Sequence, residues 1–122
     1  MSASLKSALA GAFKTLRTSL GDQVAYSRGT QTAYLTAIMA DVLYEVTTGD
    51  GGTETWSSRD FLMEAAALKL GGVVVEPARG DRIEAESQAW EVVGPGNQPC
   101  FEYSDPYKLG LRVHTRGIGV VN

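Results

Sequence analysis

Two hydrophobic periods divide this chain of 122 residues. Between residues 4 and 20, Leu5, Leu9, Ala12, Phe13, Leu16 and Leu20 recur at three- and four-residue steps, which gathers them on one stripe of an α-helix. Lys14 falls opposite that stripe, and Lys6 and Arg17 flank it. Ser4 can cap the first turn with its hydroxyl and Gly21 can take the left-handed conformation that closes a helix, so the pattern predicts an N-terminal amphipathic helix within residues 1–21. Such a stripe suits a helix packed on its own domain or on a neighbouring subunit. A membrane-surface helix and an acid-poor presequence share the same composition.

After Gly21 the period falls to two. Val24 and Tyr26 alternate up to Ser27-Arg28-Gly29, and Ala33 and Leu35 alternate with Thr32, Tyr34 and Thr36. Val42, Tyr44 and Val46 continue the alternation to a flexible Thr48-Gly49-Asp50-Gly51-Gly52 turn, after which residues 54–58 return as the second arm of a hairpin. Residues 60–70 read two ways, because Phe61, Leu62 and Met63 suit the end of a strand while Ala65, Ala66 and Ala67 favour a helical turn; we assign the first few to strand. In residues 77–93, Pro77 ends what precedes it, Gly80-Asp81 supplies a tight bend, and Ile83, Trp90 and Val92 form one buried face of a hairpin. A loop at residues 94–97, a short strand near Cys100, a turn at Ser104-Asp105-Pro106 and a final strand over residues 111–115 complete the pattern. The expected fold is mainly β, a small antiparallel β-barrel or sandwich preceded by the helix, in one domain over residues 1–122 with its core in 22–122.

Charge changes this picture more than composition does. The net value is −3. Its distribution is uneven: Lys6, Lys14 and Arg17 stand near the start and Lys108, Arg112 and Arg116 near the end with no acid beside them, while all 14 acids lie between. A duplex-gripping protein needs a basic stripe to displace counterions, so an acidic body argues against a duplex-binding protein and would at most tolerate DNA passing by. No apolar run is long enough to span a bilayer, and the single Cys100 excludes an internal disulfide and reads as a small buried residue.

Candidate chemistry is sparse. His114, the one histidine, excludes a His-rich metal site and reads as a strand residue; an enzyme would need it gathered with carboxylates such as Glu91 or Asp105. Arg79-Gly80-Asp81 matches an adhesion tripeptide, but Gly-Asp already serves the turn. The glycines around Asp50 lack the spacing of a calcium loop, and Glu84, Glu86 and Glu91 read as outward-facing charges. No catalytic residue, cofactor site or metal site is therefore assigned.

One resemblance gives these elements a role. Asp60-Phe61-Leu62-Met63, then Pro77 with Gly80-Asp81-Arg82-Ile83, then Ala89-Trp90-Glu91-Val92-Val93, then Ser104-Asp105-Pro106, and finally Arg112-Val113-His114-Thr115-Arg116 follow one another in an order that resembles the small head-tail connector proteins of tailed bacteriophages. These are head completion, adaptor or stopper proteins. The resemblance covers residue 60 onward, with weaker similarity over residues 24–29, and it does not extend to the N-terminal helix. It implies a structural virion protein, assembled in the bacterial host cytoplasm, that forms a homo-oligomeric ring at the neck. Its partners would be the portal or an adaptor and the tail proteins, with packaged DNA passing through unbound and no membrane, cofactor or reaction involved. Under that reading Leu9, Phe13 and Leu16 on the helix, Asp50 and Trp56 on the first hairpin and Asn97 in the second loop are the candidate subunit contacts. A tail-terminator or tail-tube ring protein fits the same sequence, and so does a free cytosolic small-barrel module that binds a peptide or oligosaccharide through Tyr34, Tyr44 and Trp56.

Overall fold

The computed structural model describes residues 21–120, and in them the period-two segments become nine strands. These are β1 (Asp22–Arg28), β2 (Gln31–Thr47), β3 (Thr53–Glu64), β4 (Lys69–Leu70), β5 (Val73–Val74), β6 (Arg82–Ala85), β7 (Gln88–Val92), β8 (Phe101–Tyr103) and β9 (Gly110–Val120). Seven of them form one antiparallel sheet in the order β3-β2-β1-β6-β7-β9-β8, and β4 and β5 pair as a small separate hairpin. The expected N-terminal helix, with its candidates Leu9, Phe13 and Leu16, lies outside the described residues.

Alternation builds the core. Val24 and Tyr26 from β1, Ala33, Leu35 and Ala37 from β2, Phe61 and Met63 from β3, Ile83 and Ala85 from β6, Val92 from β7, and Leu111 and Val113 from β9 all point inward and are buried. Leu68 joins them from the segment after β3, where Ala65–Ala67 make one 3₁₀ turn, so the strand-then-turn reading of residues 60–67 holds. Each large side chain fully buried in this way contributes about 1.5–3 kcal/mol.

The sheet curls strongly, and β3 at one end of the order also pairs with β9 near the other. That returning ladder runs only from Arg59↔Thr115 to Glu64↔Gly110. The remainder of β3 has no such partner, and β8 hangs on β9 as a three-residue edge. The architecture is therefore mainly β and antiparallel, as expected, but it is a curled sheet and not a closed barrel.

Two local corrections concern residues 77–93. Gly80-Asp81 does bend the chain, with Gly80 at φ +94°, but it leads into β6 instead of joining two strands. The hairpin turn itself falls at Glu86-Ser87, whose φ values of 53° and 63° are the left-handed pair that a two-residue hairpin requires. Trp90 pairs with Ile83 as expected, yet it is only half-buried while Val92 is fully so. A register shift between Ala89 and Trp90 re-aims the indole to the rim of the core. There it meets Phe61 edge-on at 6.3 Å, and the Arg59 guanidinium covers it at 4.6 Å.

Candidate functional site

The feature that projects from this body is a ribbon. Beyond Ala37, β2 leaves β1 behind, and it continues paired only with β3 through Val42↔Ser58, Tyr44↔Trp56 and Val46↔Glu54 to the Gly-rich turn. Its alternation is that of a half-covered strand pair: Val42, Tyr44 and Val46 are half-buried, whereas Asp41, Leu43, Glu45 and Thr47 face solvent. On the half-buried face Val46 rests on the 94–99 loop, where a Cβ at Gly96 would lie 2.4 Å from Val46 Cγ1, so only glycine permits this approach. Asp50 sits at the exposed tip, where it accepts hydrogen bonds from the Thr48 hydroxyl and from Gly52 N–H at 3.0 Å. These bonds hold its carboxyl below the usual range. They describe a solvated turn.

At the foot of the ribbon lies a buried carboxylate that sequence reasoning passed over. Asp60 is fully buried, and each of its oxygens accepts two side-chain donors. Oδ2 takes the Tyr44 hydroxyl at 2.5 Å and Arg112 Nε at 2.6 Å, and Oδ1 takes the Ser58 hydroxyl at 2.7 Å and His114 Nδ1 at 2.9 Å. Burial alone would raise the Asp60 pKa, but the four donors, led by His114 and Tyr44, outweigh it and hold the carboxyl well below the ordinary range. The Tyr44 hydroxyl is pushed up, first by burial and then by its bond to Asp60. Because Tyr44 belongs to the outer part of β2 while Arg112 and His114 belong to β9, this cluster pins the ribbon to the body.

A second buried carboxylate does the same for the body. Asp81 accepts from the Tyr26 hydroxyl, from Arg28 Nε at 2.9 Å and Nη2 at 2.8 Å, and from Ala78 N–H at 2.9 Å. Burial would raise its pKa, and the Arg28 and Tyr26 hydrogen bonds reverse that effect and lower it. Tyr26 is pushed far up, mainly by burial. With Asp81 only 4% exposed, Arg79-Gly80-Asp81 cannot present its carboxylate to a receptor.

His114 meets Asp60, and the two carboxylates that the sequence offered it, Glu91 and Asp105, are bonded elsewhere. Ser58 and His114 both bond the same oxygen of Asp60, so the serine hydroxyl donates to the carboxylate and not to the imidazole. Glu91 pairs with Arg116 at 2.7 Å, and Asp105 accepts three backbone N–H groups, from Tyr107, Leu109 and Gly110. Cys100 is half-buried, its thiol 3.8 Å from the Pro77 carbonyl and pushed up in pKa by burial.

Of the candidate contacts, Trp56 lies half-buried on the ribbon opposite Tyr44, with its indole N–H buried and without a partner among the described residues. Asn97 is exposed, on the wall of a surface cleft of about 320 Å³ that Arg79 and Cys100 also line. Tyr34 is 72% exposed beside a second cleft of about 270 Å³, ten residues and therefore about 33 Å of strand from Tyr44. Tyr34, Tyr44 and Trp56 accordingly do not share a groove, and the Tyr44 hydroxyl is already committed to Asp60. No helix among the described residues is long and apolar enough to cross a membrane.

The described residues thus form a curled sheet with a projecting ribbon, two surface clefts and two buried carboxylates committed to hydrogen bonds that hold the fold. The chain belongs to the phage head-tail joining protein family, whose model matches residues 3–122. It is a structural head-tail connector protein of phages. Among curated proteins, none matches the chain.

Proposed function

We propose that this protein forms a homo-oligomeric ring at the neck of the virion, between the portal of the DNA-filled head and the tail. The observation that carries the reading is the ribbon, a two-stranded arm tied to the body by the Asp60 cluster and reaching beyond the core that supports it. Membership of the head-tail joining family supports a position at the junction over one along the tail tube. Its contacts to neighbouring copies and adjacent rings run through Asp50 and Trp56 on the arm, Asn97 in the 94–99 loop, and Leu9, Phe13 and Leu16 in the N-terminal segment. The excess of acids over bases between residues 22 and 107 repels phosphates, so packaged DNA slides through the ring.

The test is assembly without the protein. Phage particles lacking it should accumulate as DNA-packaged heads and free tails, and adding the purified protein should restore joining in vitro. Heads that join tails normally in its absence would end the proposal.

A further inference from the structure

Resting on the ring reading, we infer that the tip of the ribbon, with Asp50 leading, docks in the cleft that Arg79 and Asn97 line on a neighbouring copy. Arginines in this fold come with carboxylates. Arg28 holds Asp81, Arg59 holds Asp41, Arg82 holds Glu84, Arg112 holds Asp60 and Arg116 holds Glu91, each within 3.0 Å. Arg79 is the exception among the described residues: it is exposed and has no carboxylate partner. The cleft of about 320 Å³ whose wall it forms contains no acid, and the exposed Asn97 beside it makes no side-chain hydrogen bond among the described residues. The cleft therefore presents an uncommitted guanidinium and a carboxamide N–H₂, both donors, on a loop kept open by Gly94 and Gly96.

The complement sits at the end of the ribbon. Asp50 Oδ1 takes both bonds made within the turn, from the Thr48 hydroxyl and from Gly52 N–H, which leaves Oδ2 without a partner on an exposed residue. Those two bonds fix the carboxylate before any partner arrives, so a guanidinium can take Oδ2 without disturbing the turn. Three of the five turn residues, Gly49, Gly51 and Gly52, carry no side chain, so the tip is narrow. Within one copy Asp50 and Arg79 form no ion pair, and each is left for another chain. A ring built from identical copies uses two different patches of each copy, one meeting the other on the next subunit. An anionic, acceptor-bearing tip and a cationic, donor-bearing cleft are such a pair. The contact is partly ionic, so added salt should weaken it.

Two measurements decide it. In a Cys100→Ser background, copies carrying Gly49→Cys, a position with open space around it, are mixed with copies carrying Gln98→Cys on the cleft and oxidised while they assemble with the portal and tail proteins. The expected product is a disulfide-linked pair of one of each, absent when both sites are placed in one chain at high dilution. In parallel, a double-mutant cycle uses variants that remove charge and spare the fold: Asp50→Asn keeps Oδ1 as the acceptor of the turn bonds, and Arg79→Gln empties a side chain with no partner to lose. Each should raise the concentration needed for assembly about fivefold, and the double variant should be no worse than either single one. Assembly that proceeds without the mixed cross-link, or single effects that are absent or simply multiply, would overturn the docking while leaving the ring intact. A cross-link that forms within one diluted chain would overturn it in favour of a contact inside one copy. Wild-type protein that stays monomeric with its virion partners would instead overturn the ring reading on which the docking rests.

Discussion

Replacing Asp60 with alanine tests how the arm is held. The change deletes the acceptor of four hydrogen bonds, those of Tyr44, Ser58, Arg112 and His114, in a fully buried position. Hydrogen bonds to a charged group contribute about 1.5–3 kcal/mol each, but the four losses are not additive, and the Arg112 side chain, 30% exposed, regains water. Breaking a buried charge cluster by removing one partner costs about 3–5 kcal/mol, and we expect Asp60→Ala to fall in that range. Against a domain stability of about 5–15 kcal/mol this is a large fraction. Urea unfolding followed by circular dichroism should show a lower midpoint at unchanged slope. Amide exchange should show more: because Tyr44 loses its anchor, the amides of residues 42–47 and 53–58 should lose protection before those of the core. A loss below about 1 kcal/mol, or ribbon amides as protected as before, would refute the argument that this carboxylate pins the ribbon.

Other consequences follow from particular contacts. Gly94→Ala should destabilise the 94–99 loop by about 1–3 kcal/mol, since a Cβ there would lie 1.9 Å from the Gln98 carbonyl oxygen and 2.5 Å from that of Pro99; a thermal melt unchanged from wild type would contradict it. Trp90→Ala should cost about 3 kcal/mol, the lower end for an aromatic truncation because the ring is only half-buried beneath Arg59, and quenching of Trp90 fluorescence in a Trp56→Phe background should be partial rather than complete. Acid should weaken the fold in a defined direction. Asp60 and Asp81 both have lower pKa values folded than unfolded, so the unfolded chain binds more protons and stability rises with pH; their contribution is full above about pH 4 and is lost as pH falls below it. Urea midpoints at pH 7, 4 and 3 check this, and Asp60→Asn with Asp81→Asn should flatten the profile.

What the sequence made legible was local. Strand positions, the Gly-rich ribbon turn and the inward sets Val24/Tyr26, Ala33/Leu35 and Ile83/Val92 follow from period-two alternation, which depends only on neighbours along the chain. The Glu86-Ser87 turn was not legible, because neither residue advertises the positive φ that hydrogen bonding between β6 and β7 imposes on it. Nor was the Asp60 cluster: its donors come from Tyr44, Ser58, Arg112 and His114, and only the packing of β9 on β3 brings them together. One signal existed in Asp60-Phe61-Leu62-Met63, where a carboxylate opens an apolar run that must be buried and so has to be paired. Asp81 was hidden in the same way by its turn, whose glycine explained the local bend and left the burial of the aspartate unremarked. The proposed ring would leave no trace in alternation, since its meeting surfaces would belong to different copies.

The central claim is the ring, and its most direct test is the mass and symmetry of the assembled protein. Sedimentation of the purified chain with its portal and tail partners, followed by image reconstruction of the neck, should show a closed ring of identical copies whose channel face is acidic or neutral and which binds duplex DNA weakly even at low salt. A protein that remains monomeric beside those partners, or a ring that grips DNA through a channel lined with lysine and arginine, would contradict the account.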